Sequence, residues 1–158
     1  PRVLNHAQRM LGDASEAEDV AQDAMMRLWR VAPDWRSGEA KVSTWLYRVT
    51  ANLCLDRLRK RRDLALDSDT EPVDTALAAP DILQEQDRRD ALQAALNTLP
   101  DRQRQAVFLR HIDGLSNPEI SQIMQISARA VESLTARGKR SLAAELENRR
   151  DELGYEND

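Results

Sequence analysis

The side chains best suited to ligand binding form a basic stretch in the first half of the chain. Its members lie close together near the end of one predicted helix and are Arg57, Arg59, Lys60, Arg61 and Arg62. Cations near the carboxyl end of a helix stabilise it by about 0.3–1 kcal/mol each, but a cap does not require five of them. Cations beside aromatic rings such as Trp45 and Tyr47 match the combination that binds single-stranded nucleic acid. The alternative is that Trp45 is a core residue, the commoner role for an aromatic residue at helical spacing.

A second candidate site lies near the end of the chain, where a three-residue turn separates two predicted helices. Ser116 and Glu119 form a capping box for the first helix, and Ser127 is a suitable N-cap for the second. This pattern, with a basic outer face, is typical of a helix-turn-helix, whose second helix enters the major groove of DNA. The candidates for base contacts on that helix are Ala128, Arg129, Glu132, Ser133 and Arg137, and Lys139 and Arg140 would bind phosphates. The alternative is a plain helical bundle.

The net charge of −4 conceals blocks of opposite sign. Residues 36–62 carry +6, residues 63–90 carry −7, and residues 129–144 carry +3. Basic faces suit phosphates, whereas acidic faces suit basic protein surfaces or repel nucleic acid. The total charge is therefore a weak argument against DNA binding, and each block taken alone could also be a solvated helix face.

The sequence gives little support to an enzyme or a membrane protein. His6 and His111 fall in different predicted domains, Cys54 is the single cysteine, and no glycine-rich phosphate loop or metal-ligand cluster is present. No apolar run approaches the roughly 18 residues needed to span a bilayer. A lone cysteine fits a reducing compartment. We therefore expect a cytoplasmic protein without catalytic residues, metal, cofactor or direct membrane insertion.

The predicted fold is all-α, with two small helical domains joined by a flexible acidic linker. The first domain comprises residues 1–62, the linker residues 63–87, and the helix-turn-helix domain residues 88–158. The linker has low hydrophobicity and net negative charge, which cannot offset the entropy cost of ordering it. Because the chain begins within a predicted helix, we expect a further segment of the first domain before Pro1.

Two helices follow in the first domain. Ser15 and Glu18 predict a capping box for a helix that ends near Val31. The next helix runs from Lys41 to Arg62. Its predicted core stripe consists of Val42, Trp45, Leu46, Val49 and Leu53. The same periodicity turns Tyr47, Arg48 and Ala51 away from that stripe.

Three segments, taken in order, resemble the signatures of one protein family. They read AEDVAQDAMMRLWR from residue 17, STWLYRVTANLCLDRLRKRR from residue 43, and LNTLPDRQRQAVFLRHIDGLSNPEISQIMQISARAVESLTARGKRSL from residue 96. Together they resemble a bacterial sigma factor of the extracytoplasmic function (ECF) group, over nearly the whole chain. The resemblance implies a dissociable RNA polymerase subunit that directs transcription initiation. It also implies two helical domains with a flexible linker, in agreement with the prediction from the residues.

The resemblance implies three partners: core RNA polymerase, promoter DNA and an anti-sigma protein, frequently a zinc-binding or membrane-anchored one. The candidates for polymerase binding are Asp19, Gln22, Asp23 and Met26. The candidates for opening and recognising the minus-ten element are Arg48, Asn52, Arg57, Arg59, Lys60 and Arg61, whereas Asp56 could pair with a neighbouring arginine. The minus-thirty-five element would meet Ser127 and the residues of the second helix named above. The alternative function is an autonomous helix-turn-helix regulator that binds duplex DNA as a dimer.

Two departures from the family pattern stand out. Gln125 occupies a turn position where relatives often have glycine or aspartate, so we expect a less relaxed backbone there. Glu132 and Leu134 stand where many relatives have basic residues. Glu132 could accept a hydrogen bond from a cytosine amino group or could weaken DNA binding.

Overall fold

The computed structural model describes residues 2–35, 41–67 and 83–148, and these residues are mostly helical. The elements in chain order are α1 (Arg2–Leu11), α2 (Ala14–Val31), a short 3-10 turn (Ala32–Asp34), α3 (Val42–Asp67), α4 (Leu83–Asn97), α5 (Asp101–Val107), a π turn (Phe108–Ile112), α6 (Asn117–Met124) and α7 (Ala128–Asn148). No strand occurs within the described ranges, so the all-α prediction is confirmed.

The first three helices pack on one another, and α2 begins earlier than predicted. Its N-cap is Asp13, whose carboxylate accepts a hydrogen bond of 3.0 Å from the backbone N–H of Glu16. The predicted capping box of Ser15 and Glu18 is therefore wrong. Both residue types are favourable caps, but the tight turn at Gly12, with φ of +66°, ends α1 so early that Asp13 takes the cap position.

Helix α3 buries a different face from the one predicted. Its buried apolar residues are Tyr47, Ala51, Cys54 and Leu58, whereas Val42 is exposed. The prediction that Tyr47 and Ala51 point away from the core is wrong because α3 packs on two sides. One side meets α1 and α2, and the other meets α5 and α6. The buried face was predicted for an isolated first domain, so the prediction did not include the face of α3 that packs on α5 and α6.

The second half of the chain confirms the predicted local signals. Ser116 caps α6 by accepting from the N–H of Glu119 at 3.3 Å, and the Ser116 hydroxyl lies 3.1 Å from the Glu119 carboxylate. Ser127 caps α7 by accepting from the N–H of Ala130 at 3.1 Å. Gly114, with φ of +72°, ends the preceding helical segment. The helix-turn-helix predicted from these caps is present.

Helix α7 crosses α5 at close range because Gly138 has no side chain. A Cβ at this position would lie 2.6 Å from Cγ2 of Val107 and 3.4 Å from the carbonyl oxygen of Gln103. Valine is stiff at χ1, so its methyl group has little freedom to move aside. Gly138 therefore fixes how closely the recognition helix approaches the rest of its domain.

The two halves share their hydrophobic core. One buried cluster contains Met10 of α1, Val20 of α2, Leu58 of α3 and Phe108 of the π turn. Polar contacts join the halves as well. His6 Nδ1 and Arg9 Nη1 lie 3.3 and 3.4 Å from the Asp113 carboxylate. The predicted domains are thus packed against each other in this structure.

The connection between the halves falls largely outside the described residues. Helix α3 continues past the predicted end of the first domain to Asp67, and α4 begins at Leu83, within the predicted linker. The intervening residues, on which the flexibility prediction depends most, lie outside the described ranges. Among the helices of the described part, none is long and apolar enough to cross a membrane.

The buried thiol of Cys54 predicts a loss of stability in alkaline solution. Burial raises the pKa of Cys54 from 9.0 to about 12. Because the unfolded chain then ionises first, the stabilisation is fully present below pH 9 and is lost as the pH rises towards 12. We expect the free energy of unfolding to be lower at pH 10 than at pH 7.5 by on the order of 1 kcal/mol through this group.

Urea unfolding at pH 7.5 and pH 10 measures this loss. The variant Cys54→Ala serves as the control, because it lacks the thiol and should show a correspondingly smaller pH dependence. Burial also raises the pKa of Tyr47 to about 12. The contribution of Tyr47 to the pH dependence of stability is therefore present in both proteins. An identical pH dependence in the two proteins would contradict the prediction.

Candidate nucleic-acid interface

The basic end of α3 divides into residues that hold the fold together and residues that face solvent. Arg61 donates a hydrogen bond of 2.7 Å to the carbonyl oxygen of Leu11 and pairs with Glu16. Because Leu11 is the last residue of α1, Arg61 caps that helix with a positive charge. Arg61 therefore has a structural partner at the site where sequence reasoning proposed a DNA contact.

The other basic residues of this stretch differ in their freedom. Arg57 lies 4.0 Å from the Asp19 carboxylate, and Arg62 pairs with Asp101 of α5. Arg59 donates to Asp56 at 2.9 Å, and its side chain is exposed. The expected pairing of Asp56 with a neighbouring arginine is thus present. Together with exposed Lys60, Arg59 offers the most accessible positive charge at this end of the helix.

The aromatic residues on α3 have unequal access to a ligand. Tyr47 is 4% exposed and packs in a cluster with Ile120 and Ile123 of α6. Burial, with a contribution from nearby Asp113, raises the pKa of Tyr47 to about 12, so its hydroxyl is neutral. The prediction that Tyr47 offers a surface for base stacking is therefore not met in this arrangement.

Trp45 is only half-buried and stacks edge-to-face on Trp35, with ring centroids 6.1 Å apart. Exposed Asn52 lies nearly two turns further along the same helix. The half-buried Arg48 lies between them in sequence and faces the helix-turn-helix. These residues form the part of α3 that a nucleic acid strand could reach beside the basic end.

The recognition helix α7 presents its predicted DNA-binding residues on an accessible surface. Val131 and Gly138 face inward and are buried. The predicted contact residues are exposed except for Ser133, which is half-buried, and they are Ser127, Ala128, Arg129, Glu132, Ser133, Arg137, Lys139 and Arg140. Burial, with Lys139 and Arg110 nearby, lowers the pKa of His111, as expected beside a positive surface. The arrangement suits contact with a phosphate backbone.

The turn before α7 is under backbone constraint. Gln125 has φ of +57° and ψ of +44°, and within the described residues it is the only non-glycine with positive φ. The Ser121 hydroxyl donates to the carbonyl oxygen of Ile126 and ties α6 to the turn. The expectation that a residue other than glycine strains this turn is confirmed.

The two candidate surfaces lie side by side. Thr44, Trp45 and Arg48 of α3 form one wall of a cleft of about 480 Å³, and the end of α6 with Ser127 forms the other. Gln105 Nε2 of α5 donates a hydrogen bond of 3.2 Å to the carbonyl oxygen of Ala51, in the buried interface between α5 and α3. The first residues of the recognition helix therefore lie across the face of α3 that carries Arg48.

A third surface lies on the outer face of α2. Asp19, Gln22 and Met26 are exposed as predicted, and Asp23 forms an ion pair of 3.1 Å with Arg27. Sequence reasoning missed two exposed apolar neighbours on this helix. They are Met25 and Trp29, and Trp29 is 83% exposed. Their spacing of four residues, outside the buried stripe, is the signal that would have found them.

Within the part of the chain that the structure describes, no group of three or more His, Cys, Asp or Glu side chains comes together as a metal site. The described surfaces thus consist of two basic helix faces and an acidic face with large apolar side chains. Basic helix faces suit contact with phosphates, and an acidic face with apolar side chains suits contact with a protein.

Two family models match the chain in this order. The model for Sigma-70 region 2 matches residues 1–63, and the model for Sigma-70 region 4 matches residues 89–142. The first match contains α1, α2 and most of α3, and the second contains the helix-turn-helix. The two matched regions thus coincide with the two halves of the structure.

Several curated relatives are about one third identical to this chain over the aligned residues. The ECF RNA polymerase sigma factor SigW of Bacillus subtilis is 34% identical over 92% of this chain and 83% of its own length. SigM of Mycobacterium tuberculosis is also 34% identical, over 90% of this chain and 70% of its own length. SigE of Mycolicibacterium smegmatis is likewise 34% identical, but the chain spans only 56% of that protein.

Solved structures resemble the whole described arrangement. The sigma factor RpoE of Bartonella quintana, in complex with the anti-sigma factor NepR, gives a TM-score of 0.70 at 26% identity, over 92% of this chain and 89% of that one. CnrH, in complex with the cytosolic domain of CnrY, has the same fold, with a TM-score of 0.67 at 24% identity over 92% of this chain and 81% of that one. By the family models and the relatives together, the chain belongs to the ECF group of RNA polymerase sigma factors.

Proposed function

We propose that this chain directs core RNA polymerase to promoters by means of three helices. Helix α3 opens and holds the minus-ten element, α7 recognises the minus-thirty-five element, and the outer face of α2 docks on the polymerase. The protein performs no covalent chemistry in this scheme. The observation that carries the proposal is the pair of basic, exposed helix faces, one at the end of α3 and one along α7.

The exposed end of α3 supports a role with single-stranded DNA. Arg59 and Lys60 would bind phosphates, and Asn52 would contact an extruded base. Unstacking a base costs a few kcal/mol, and a base held outside the stack recovers part of that cost through its contacts. Arg61 would act indirectly, because its guanidinium holds the end of α1.

The exposed face of α7 supports a role with duplex DNA. Ala128, Arg129 and Glu132 lie in its first two turns, where a recognition helix contacts base edges. Arg137, Lys139 and Arg140 lie further along and would bind phosphates, which position the helix without specifying sequence.

The outer face of α2 supports a protein contact. Protein interfaces commonly have large apolar anchors at their centre and polar groups around them. Met25, Met26 and Trp29 provide such anchors, and Asp19 and Gln22 lie among the polar groups. The acidic charge of this face suits a basic surface of the polymerase.

An anti-sigma protein is the third proposed partner. RpoE of Bartonella quintana, which this chain resembles in fold and at 26% identity, was solved with the anti-sigma factor NepR. We propose that this chain is likewise held inactive by an anti-sigma protein. The zinc-binding or membrane-anchored nature of that protein remains an expectation from the family resemblance.

The experiment that tests the function compares the chain with and without core polymerase. Genomic DNA fragments of the native organism are the template in a transcription assay, and binding of the same fragments is titrated in parallel. We expect transcription from specific start sites only when both proteins are present, and weak binding by the chain alone. Tight, sequence-specific duplex binding by the chain alone would contradict the proposal and favour the autonomous regulator.

A variant of the α2 face tests the docking step. Met26→Ala with Trp29→Ala should weaken binding to core polymerase by about thirtyfold, because losing a hot-spot residue costs about 2 kcal/mol. Leu66→Ala is the matched control, because Leu66 is an equally exposed apolar side chain away from α2. Equal polymerase affinities of the two variants would contradict docking through this face.

A further inference from the structure

Gln125 has a backbone conformation that its residue type disfavours. Its φ of +57° places it in the left-handed region, where a Cβ meets the following carbonyl oxygen and glycine is the usual residue. A side chain at such a position is expected to have a compensating contact. The turn geometry alone gives no reason to prefer glutamine.

The compensating contact reaches the other half of the molecule. With its amide oriented to satisfy both partners, Gln125 accepts hydrogen bonds from the guanidinium of Arg48 on α3, where the distance to Nε is 3.3 Å. Arg48 is half-buried in the cleft between α3 and α6, and Gln125 is exposed at its rim. The turn of the helix-turn-helix and the second turn of α3 are thus joined directly.

Both residues belong to the surfaces proposed to bind the promoter. Arg48 is a candidate for the minus-ten element, and Ser127, two residues beyond Gln125, begins the recognition helix. The two promoter elements are about 25 base pairs apart, or about 85 Å along B-DNA at about 3.4 Å per pair. Two surfaces in contact with each other cannot bind DNA segments this far apart at the same time. The contact between Gln125 and Arg48 therefore has to break before both promoter elements are bound.

We propose that Gln125 is an interdomain latch that holds Arg48 against the helix-turn-helix in the free protein. Apolar contacts of Tyr47 with Ile120 and Ile123 form the body of the interface, and the latch closes its rim. Its release frees the guanidinium of Arg48 and the start of α7 together. The functional part of this inference rests on the proposed role of Arg48, whereas the latch itself rests on geometry.

Gln125→Gly tests the latch without penalising the turn. Glycine relieves the left-handed strain and removes the acceptor, so the variant should fold at least as well as the parent. The loss of one exposed hydrogen-bonded pair should raise the ratio of open to closed molecules by about twofold to tenfold. Gln125→Ala should open the molecule to the same degree while its melting temperature falls, because the strain remains.

The distance between the halves is the primary measurement. Spin labels on Gln8→Cys in α1 and Ala144→Cys in α7 report it, since both positions are exposed. Native Cys54 is buried and stays unlabelled. The matched control is Gln122→Ala, an exposed glutamine on α6 that lines the same cleft. At a urea concentration where the parent begins to show a longer-distance population, we expect that population to be larger in both Gln125 variants and unchanged in Gln122→Ala.

Binding of a mixed-sequence single-stranded DNA probe separates the latch from the role of Arg48. Tighter binding by Gln125→Gly, lost again when Arg48→Ala is added, supports both. Unchanged distance distributions in the Gln125 variants would overturn the latch. A third outcome is that the distances lengthen in the Gln125 variants but Arg48→Ala does not change DNA binding. That outcome would support the latch and overturn the proposed role of Arg48.

Discussion

Replacing Phe108 with alanine is expected to lower the free energy of unfolding by about 3–5 kcal/mol. Phe108 is 0% exposed and is the largest of the fully buried side chains in the described part of the chain. Its ring belongs to the cluster that contains residues of α1, α2, α3 and α4. A cavity there would weaken both halves, and a loss of this size is a large fraction of the stability of an ordinary domain.

Urea unfolding followed by circular dichroism measures this effect. Ile112→Ala is the control, because Ile112 ends the same π turn but is 45% exposed and should cost less than about 1 kcal/mol. Phe108→Leu provides a milder change should the alanine variant fail to fold. A loss confined to a separate transition of the second half, with the first half unaffected, would contradict the shared core.

Replacing Arg59 and Lys60 with alanine is expected to reduce promoter opening by about tenfold at physiological salt. Each phosphate contact on a single strand contributes a salt slope of about −0.7, which amounts to about fourfold per contact near 0.15 M. Both side chains are exposed, so their removal should leave the stability unchanged. The salt dependence of opening should also become shallower.

The neighbouring Arg61 offers a matched contrast within the same basic stretch. Arg61→Ala removes the cap on the carbonyl of Leu11 and the pair with Glu16. It should therefore lower stability by about 1.5–3 kcal/mol, the scale of a hydrogen bond to a charged group. Potassium permanganate footprinting of the melted strand and thermal unfolding separate the two effects. If the Arg59 and Lys60 variant opens the promoter as well as the parent does, the prediction is wrong and these residues only form a solvated face.

Local signals in the sequence predicted much of the second half. Ser116 and Ser127 are caps whose hydroxyls need only the next turn of their own helix, so spacing alone identifies them. The strain at Gln125 was predicted from the family resemblance, because relatives often have glycine or aspartate at that turn position. Such features depend on contacts within a few residues, and these are what the sequence displays directly.

Features that depend on packing between the halves could not be predicted. The periodicity of α3 indicated one buried face, but Tyr47 and Ala51 are buried by α6 and α5 of the other half. Arg61 had the same charge and spacing as its neighbours, and only the position of Leu11 distinguishes it. Burial in these cases depends on the relative position of two bodies, which a single sequence leaves open.

The core that the two halves share changes what a break in the chain would mean. Cleavage at an engineered protease site between residues 67 and 83 would leave two fragments held by the packing of Phe108 among residues of α1, α2 and α3. In the intact chain the two halves are covalently joined, so each half is present near the other at an effective concentration of about millimolar. In the cut chain the same contact becomes an ordinary bimolecular equilibrium, so the fragments would separate on dilution. The uncut connection thus makes the closed arrangement independent of protein concentration.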